Sequence, residues 1–75
     1  MLIVIVYSEQ FTSNAKSLSK AVKDKWSDAK VNLMGVYGKH DEFAKYQIQL
    51  DKTIVYNEES VTDNGTIIDL IEERL

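Results

Sequence analysis

The residues best placed to do chemistry form a polar cluster between an apolar run and an amphipathic one: Ser8, Glu9, Gln10, Phe11, Thr12, Ser13 and Asn14. Where a strand turns into a helix, unpaired backbone N–H groups converge, and hydroxyls or amides beside them can hold an anion. Disulfide exchange is outside the reach of this cluster. The chain contains no cysteine, and a threonine hydroxyl ionises far above a thiol and forms no disulfide. Disulfide staples and thiolate metal sites are excluded with it. His40 is the single histidine, with no second ligand at useful spacing, so neither a metal nor another cofactor is expected. No serine sits in a recognisable triad context, and no acid–base pair stands out among the 12 carboxylates. The plainer reading of Thr12, Ser13 and Asn14 is that they cap the helix behind them.

The elements that must position this loop follow from periodicity. Residues 2–7 are short, apolar and β-branched, which suits a strand buried on both faces. Phe11, Ala15, Leu18, Val22 and Trp26 then recur at helical spacing, with polar residues between them. Thr12 or Ser13 is the expected cap. Residues 30–36 predict a second strand in which Gly35 weakens the pattern or marks a bulge. A strand–helix–strand unit this short implies a right-handed crossover and parallel strands. Residues 41–46 predict a short second helix, although 46–50 alternate and could instead be extended. Residues 52–56 and 60–62 predict two strands of an antiparallel hairpin around the polar turn at 57–59. Thr66 and Asp69 look like a capping box opening a last helix whose buried face is Ile67, Ile68, Ile71 and Leu75.

Size and charge narrow the classes further. Seventy-five residues make one small domain, 1–75, close to the lower limit for a self-sufficient core. A hydrophobic content of 44% with 28% charged residues is that of an ordinary globule. The net charge of −3 gives no reason to expect nucleic acid or an anionic membrane as a partner. The apolar run at residues 2–6 is too short to span a bilayer and lacks the features of a signal peptide. The expectation is a cytoplasmic protein. Lys16, Lys20 and Lys23 make the solvated face of the first helix locally basic, a small patch for an anionic partner.

The order βαβαββα resembles the minimal topology of glutaredoxins and other small thioredoxin-fold proteins, and it uses the whole chain. Their motif runs Tyr-Ser/Thr-Lys-Pro-x-Cys-x-x-Cys, and residues 7–15 lie over it position by position. Thr12 and Ala15 occupy the two cysteine places. The resemblance implies a mixed four-stranded sheet with three helices. It also implies a cis-proline before the third strand, yet the chain has no proline, and Lys52 or its neighbour falls at that place. Glu9 replaces the lysine that helps to bind a glutathione carboxylate. Asn64 and Gly65 keep some character of the region that holds the γ-glutamyl end of glutathione.

These departures imply a redox-inactive, non-enzymatic module that contacts another protein. The contact groups would ring the former active corner: Tyr7, Glu9, Gln10, Phe11, Thr12 and Lys52. Phe11 is either the first core residue of the helix or an exposed anchor. A phage or mobile element would be a natural source for so short a chain. The alternative is a small-ligand binder at residues 8–14, for glutathione or for a phosphate or flavin. Thr12, Ser13 and Asn14 partly resemble the hydroxyl-rich phosphate loop of flavodoxins. Ser13, Asn14, Asn64 and Gly65 are the candidate ligand or cap residues. A flavodoxin sheet, however, needs about twice this length.

Overall fold

Seven segments of regular structure run through residues 1–37 and 45–75, which the computed structural model describes. They are strand β1 (Leu2–Ser8), a 3₁₀ turn (Glu9–Phe11), helix α1 (Thr12–Lys25), strands β2 (Lys30–Val36), β3 (Tyr46–Leu50) and β4 (Thr53–Glu58), and helix α2 (Asn64–Glu72). The strands form one mixed sheet in the order β2-β1-β3-β4. β1 runs parallel to β2 and antiparallel to β3, and β3 runs antiparallel to β4. The four-stranded mixed sheet matches expectation. The helix count does not: two α-helices occur among the described residues where three were expected. Most of the short helix expected over 41–46 lies outside the described residues, and Tyr46 itself opens β3.

β1 is central, and its alternation decides where the core sits. Ile3, Ile5 and Tyr7 are buried, whereas Leu2, Val4 and Val6 are only half-buried. Burial on both faces was the expectation; burial here is complete on one face only. Opposite Ile3, Ile5 and Tyr7 lie Leu50, Ile48 and Tyr46 of β3, all buried. Ala15, Leu18 and Val22 of α1 and Ile67 and Ile71 of α2 join the same cluster. Each fully buried isoleucine or leucine contributes roughly 2 kcal/mol from its removal from water. Both helices therefore cover one face of the sheet. Among the described residues no helix is long and apolar enough to cross a membrane.

The hairpin lies one strand upstream of its expected place. Residues 46–50 alternate Tyr-Gln-Ile-Gln-Leu, the period of a strand with one buried face, and they pair with β4. The turn between them is the two residues Asp51 and Lys52, with φ of 46° and 74°. Two consecutive positive φ values are the mark of a type I′ turn, whose twist matches the flanking strands. Lys52 thus belongs to the turn, and residues 60–62 are not a strand. Gly35 makes no bulge: Tyr7 pairs with it in regular parallel register.

Both helix starts differ from expectation. α1 is preceded by the 3₁₀ turn, and its cap position is Phe11, with no side-chain cap. Thr12 is already helical and donates its hydroxyl backward to the Glu9 carbonyl oxygen at 2.6 Å. α2 is capped by Asp63, whose carboxylate accepts from the Thr66 N–H at 3.0 Å and from the Thr66 hydroxyl at 2.8 Å. Thr66 serves as donor to the cap rather than as the cap of a box with Asp69. The buried face is shorter than expected: Ile67 and Ile71 are buried, Ile68 is half-buried, and Leu75, past the end of α2, is exposed.

Candidate functional site

The polar loop becomes a corner where β1, the 3₁₀ turn, α1 and the start of β3 meet. Ser8 is buried, and its hydroxyl accepts from the Lys45 backbone N–H at 2.7 Å. The Ser8 N–H donates in return to the Lys45 carbonyl oxygen at 2.9 Å. These bonds fasten the loop to the residue before β3. With Thr12 turned back onto Glu9, two of the hydroxyls that could have cradled an anion are engaged within the protein. Glu9, Gln10, Ser13 and Asn14 are exposed. Phe11 is half-buried and meets the Tyr46 ring edge to face, with centroids 6.0 Å apart. It is a core residue at the rim, packed against the buried cluster.

Tyr7 is buried at the same corner and meets a residue that sequence reasoning missed. Tyr37, just past β2, packs edge to face on Tyr7 at 6.4 Å, and the two hydroxyls lie 3.4 Å apart. That hydrogen bond, together with burial, raises the Tyr7 phenol above its ordinary value of 10.0. Gly35 makes the contact possible. A Cβ at position 35 would occupy the space of the Tyr37 ring. The signal was present in Gly35-Val36-Tyr37, since residues two apart on a strand share a face.

Of the residues proposed from sequence, the fold brings Tyr7, Glu9, Gln10, Phe11, Thr12, Ser13 and Asn14 to this corner. Lys52 is not among them. Leu50 pairs with Ile3 and Asp51 bonds to Leu2, so the Asp51–Lys52 turn sits at the far end of the sheet. The residue that precedes β3 and faces Ser8 is Lys45. No cis peptide bond occurs among the described residues. Asn64 at the start of α2 donates its side-chain amide to the Ser17 hydroxyl at 2.9 Å, tying the two helices together. Gly65 follows it in the first turn of α2. His40 lies outside the described residues.

A second feature emerges on the other side of β1. β2 is an edge strand and carries much of the exposed apolar surface: Leu33 is 39% exposed, Met34 55%, Val36 51% and, just beyond, Tyr37 59%. Between this strand and α1 runs an open groove of about 520 Å³ lined by Lys16, Ser19, Lys20, Lys23, Asp24 and Leu33. Lys20 pairs with Asp24 at 3.0 Å.

No protein-family model matches the chain. No curated protein matches it either. Among solved structures the chain is similar to one described as that of a malarial protein, at 12% identity and a TM-score of 0.59. The match covers 99% of this chain and 96% of that one. At that identity the likeness concerns the fold: a small mixed α/β domain shared from end to end.

Proposed function

We propose that this chain is a redox-inactive, thioredoxin-like protein that acts by binding another protein. The thioredoxin-like assignment draws support from the strand order β2-β1-β3-β4, with one parallel outer pair, a closing antiparallel hairpin and both helices on one face. The observation that carries the binding reading is the set of exposed apolar side chains along one edge strand, Leu33 on its core-side face and Met34 and Val36 on the other, with Tyr37 just beyond. Isolated apolar residues on a surface are ordinary, but exposed apolar side chains on both faces of a strand whose outer edge is unpaired among the described residues are typical of an interface. The inward engagement of Ser8 and Thr12 speaks against an anion cradle at residues 8–14. A chain without cysteine fits work in a reducing cytoplasm.

Two measurements test this reading together. Insulin reduction should stay at the uncatalysed rate, and titration with glutathione, FMN or inorganic phosphate should leave Trp26 fluorescence unchanged. A bait carrying Met34→Ser and Val36→Ser should lose a host protein that the unsubstituted chain retains. Turnover, or a saturable response to any of the three ligands, overturns the proposal.

A further inference from the structure

We infer that the occupant of the β2 edge is an acidic, extended segment of another protein, added to the sheet as a fifth strand. The inference rests on the protein-binding reading above and names the chemistry of the partner. β2 pairs with β1 along seven residues, and among the described residues no strand pairs with its outer side. Edges are commonly blunted by proline, bulges or inward charges. β2 has neither proline nor bulge, and Lys30 at its start is its one charge. The outer row of N–H and C=O groups is therefore able to accept an added strand, as in other cases of strand addition.

The side chains on either face then choose the partner. On the core side, the groove beside Leu33 is walled by Lys16, Lys20 and Lys23, which fall on one stripe of α1. Its one carboxylate, Asp24, is already paired with Lys20. Lys16 and Lys23 have no carboxylate partner among the described residues. The protein as a whole is acidic, at −3, but α1 carries four lysines and a single aspartate. A strand laid on β2 would alternate its side chains between this basic groove and the opposite face, where Met34 and Val36 are exposed. The complementary segment therefore alternates Asp or Glu with apolar residues.

A second copy of this chain fits less well. Antiparallel pairing of two β2 edges would continue the sheet with both α1 helices on the same side, flanking the junction. Two lysine stripes would then face each other, and like charges so placed repel. A basic or neutral segment leaves the groove charge unanswered.

The test uses the whole chain and three short synthetic peptides in which isoleucine alternates with Glu, Gln or Lys. Amide shifts and hydrogen exchange report on β2. The Glu peptide should slow exchange of alternate β2 amides and bind at least about tenfold tighter than the Gln peptide, with the gap closing as salt is raised. Lys16→Glu with Lys23→Glu, both at exposed positions, should shift the preference to the Lys peptide. Equal binding of all three peptides overturns the acidic partner and leaves protein binding at this edge intact. Unchanged β2 exchange with every peptide overturns strand addition. In that case the Met34→Ser, Val36→Ser bait still decides the broader reading on its own. A concentration-dependent dimer with protected β2 amides overturns the inference in favour of a second copy.

Discussion

The Ser8 hydroxyl and the Lys45 backbone N–H meet at 2.7 Å, and the Ser8 N–H returns a bond to the Lys45 carbonyl oxygen at 2.9 Å. This reciprocal pair turns a potential binding corner into a structural joint between β1 and β3. Ser8→Ala should leave the Lys45 N–H without its acceptor in a half-buried setting, at a cost of about 1–2 kcal/mol. Urea unfolding of the variant measures it, and an unchanged midpoint would show that the joint is expendable.

Gly35 seats the Tyr37 ring, so Gly35→Ala should push that ring off Tyr7. The expected loss is about 1–3 kcal/mol, in the range of other forced repackings. A second readout is specific to the pair. The Tyr7 phenol, raised by its hydrogen bond to Tyr37 and by burial, should titrate closer to 10.0 in the variant. Ultraviolet absorbance across the alkaline range follows that step.

Lys52 holds φ at 74°, a conformation in which a side chain is strained and glycine is not. Lys52→Gly should therefore stabilise the hairpin by about 0.5–1 kcal/mol despite the added freedom of the unfolded chain. Asp51 should tolerate no such change. Its carboxylate accepts the Leu2 N–H at 2.9 Å, which glycine would forfeit.

Asp63 caps α2, and the two Thr66 donors hold its carboxyl below the ordinary 3.8. A lowered native value means that the folded state prefers the carboxylate. Its contribution is present above the unfolded value and lost as pH falls through the native one. Asp63→Ala should lower the melting temperature at neutral pH, with the gap to the parent closing in acid. Asp63→Asn, which keeps an acceptor, should be milder and flatter with pH.

Tyr46 is fully buried, and burial, aided by the neighbouring Tyr56, pushes its phenol to about 12. The folded state thus resists ionisation. Stability should hold below pH 10 and decline between 10.0 and about 12, by on the order of 2 kcal/mol. Tyr46→Phe should remove that alkaline slope while losing the hydroxyl bond to the Asn14 carbonyl oxygen. Denaturation midpoints at several alkaline pH values decide it.

Local patterns were legible in the chain, and long-range placement was not. β2 falls on residues 30–36 as expected, and its parallel pairing follows from the short crossover. The stripe of Ala15, Leu18 and Val22 is the buried face of α1. The hairpin was misplaced because its turn lacks the asparagine or glycine that usually announces positive φ; Lys52 adopts it against its own preference. Lys52 was then assigned to the corner by counting from the wrong strand, when Lys45 is the residue opposite Ser8. Thr12 and Ser13 have the chemistry of caps, but the helix follows directly on the 3₁₀ turn with Phe11 at the cap position, so both residues lie inside its first turn. The corner residues assembled because they are consecutive. Tyr37 was overlooked because its partner lies thirty positions away.

The central place of β1 carries a kinetic consequence. Its contacts with β3 join Ile5 to Ile48, across more than half the chain, whereas β3 and β4 are linked by a turn of two residues. Closing so large a loop is entropically slow compared with zipping a hairpin. Folding should therefore begin at the hairpin and wait on the arrival of the amino-terminal strand.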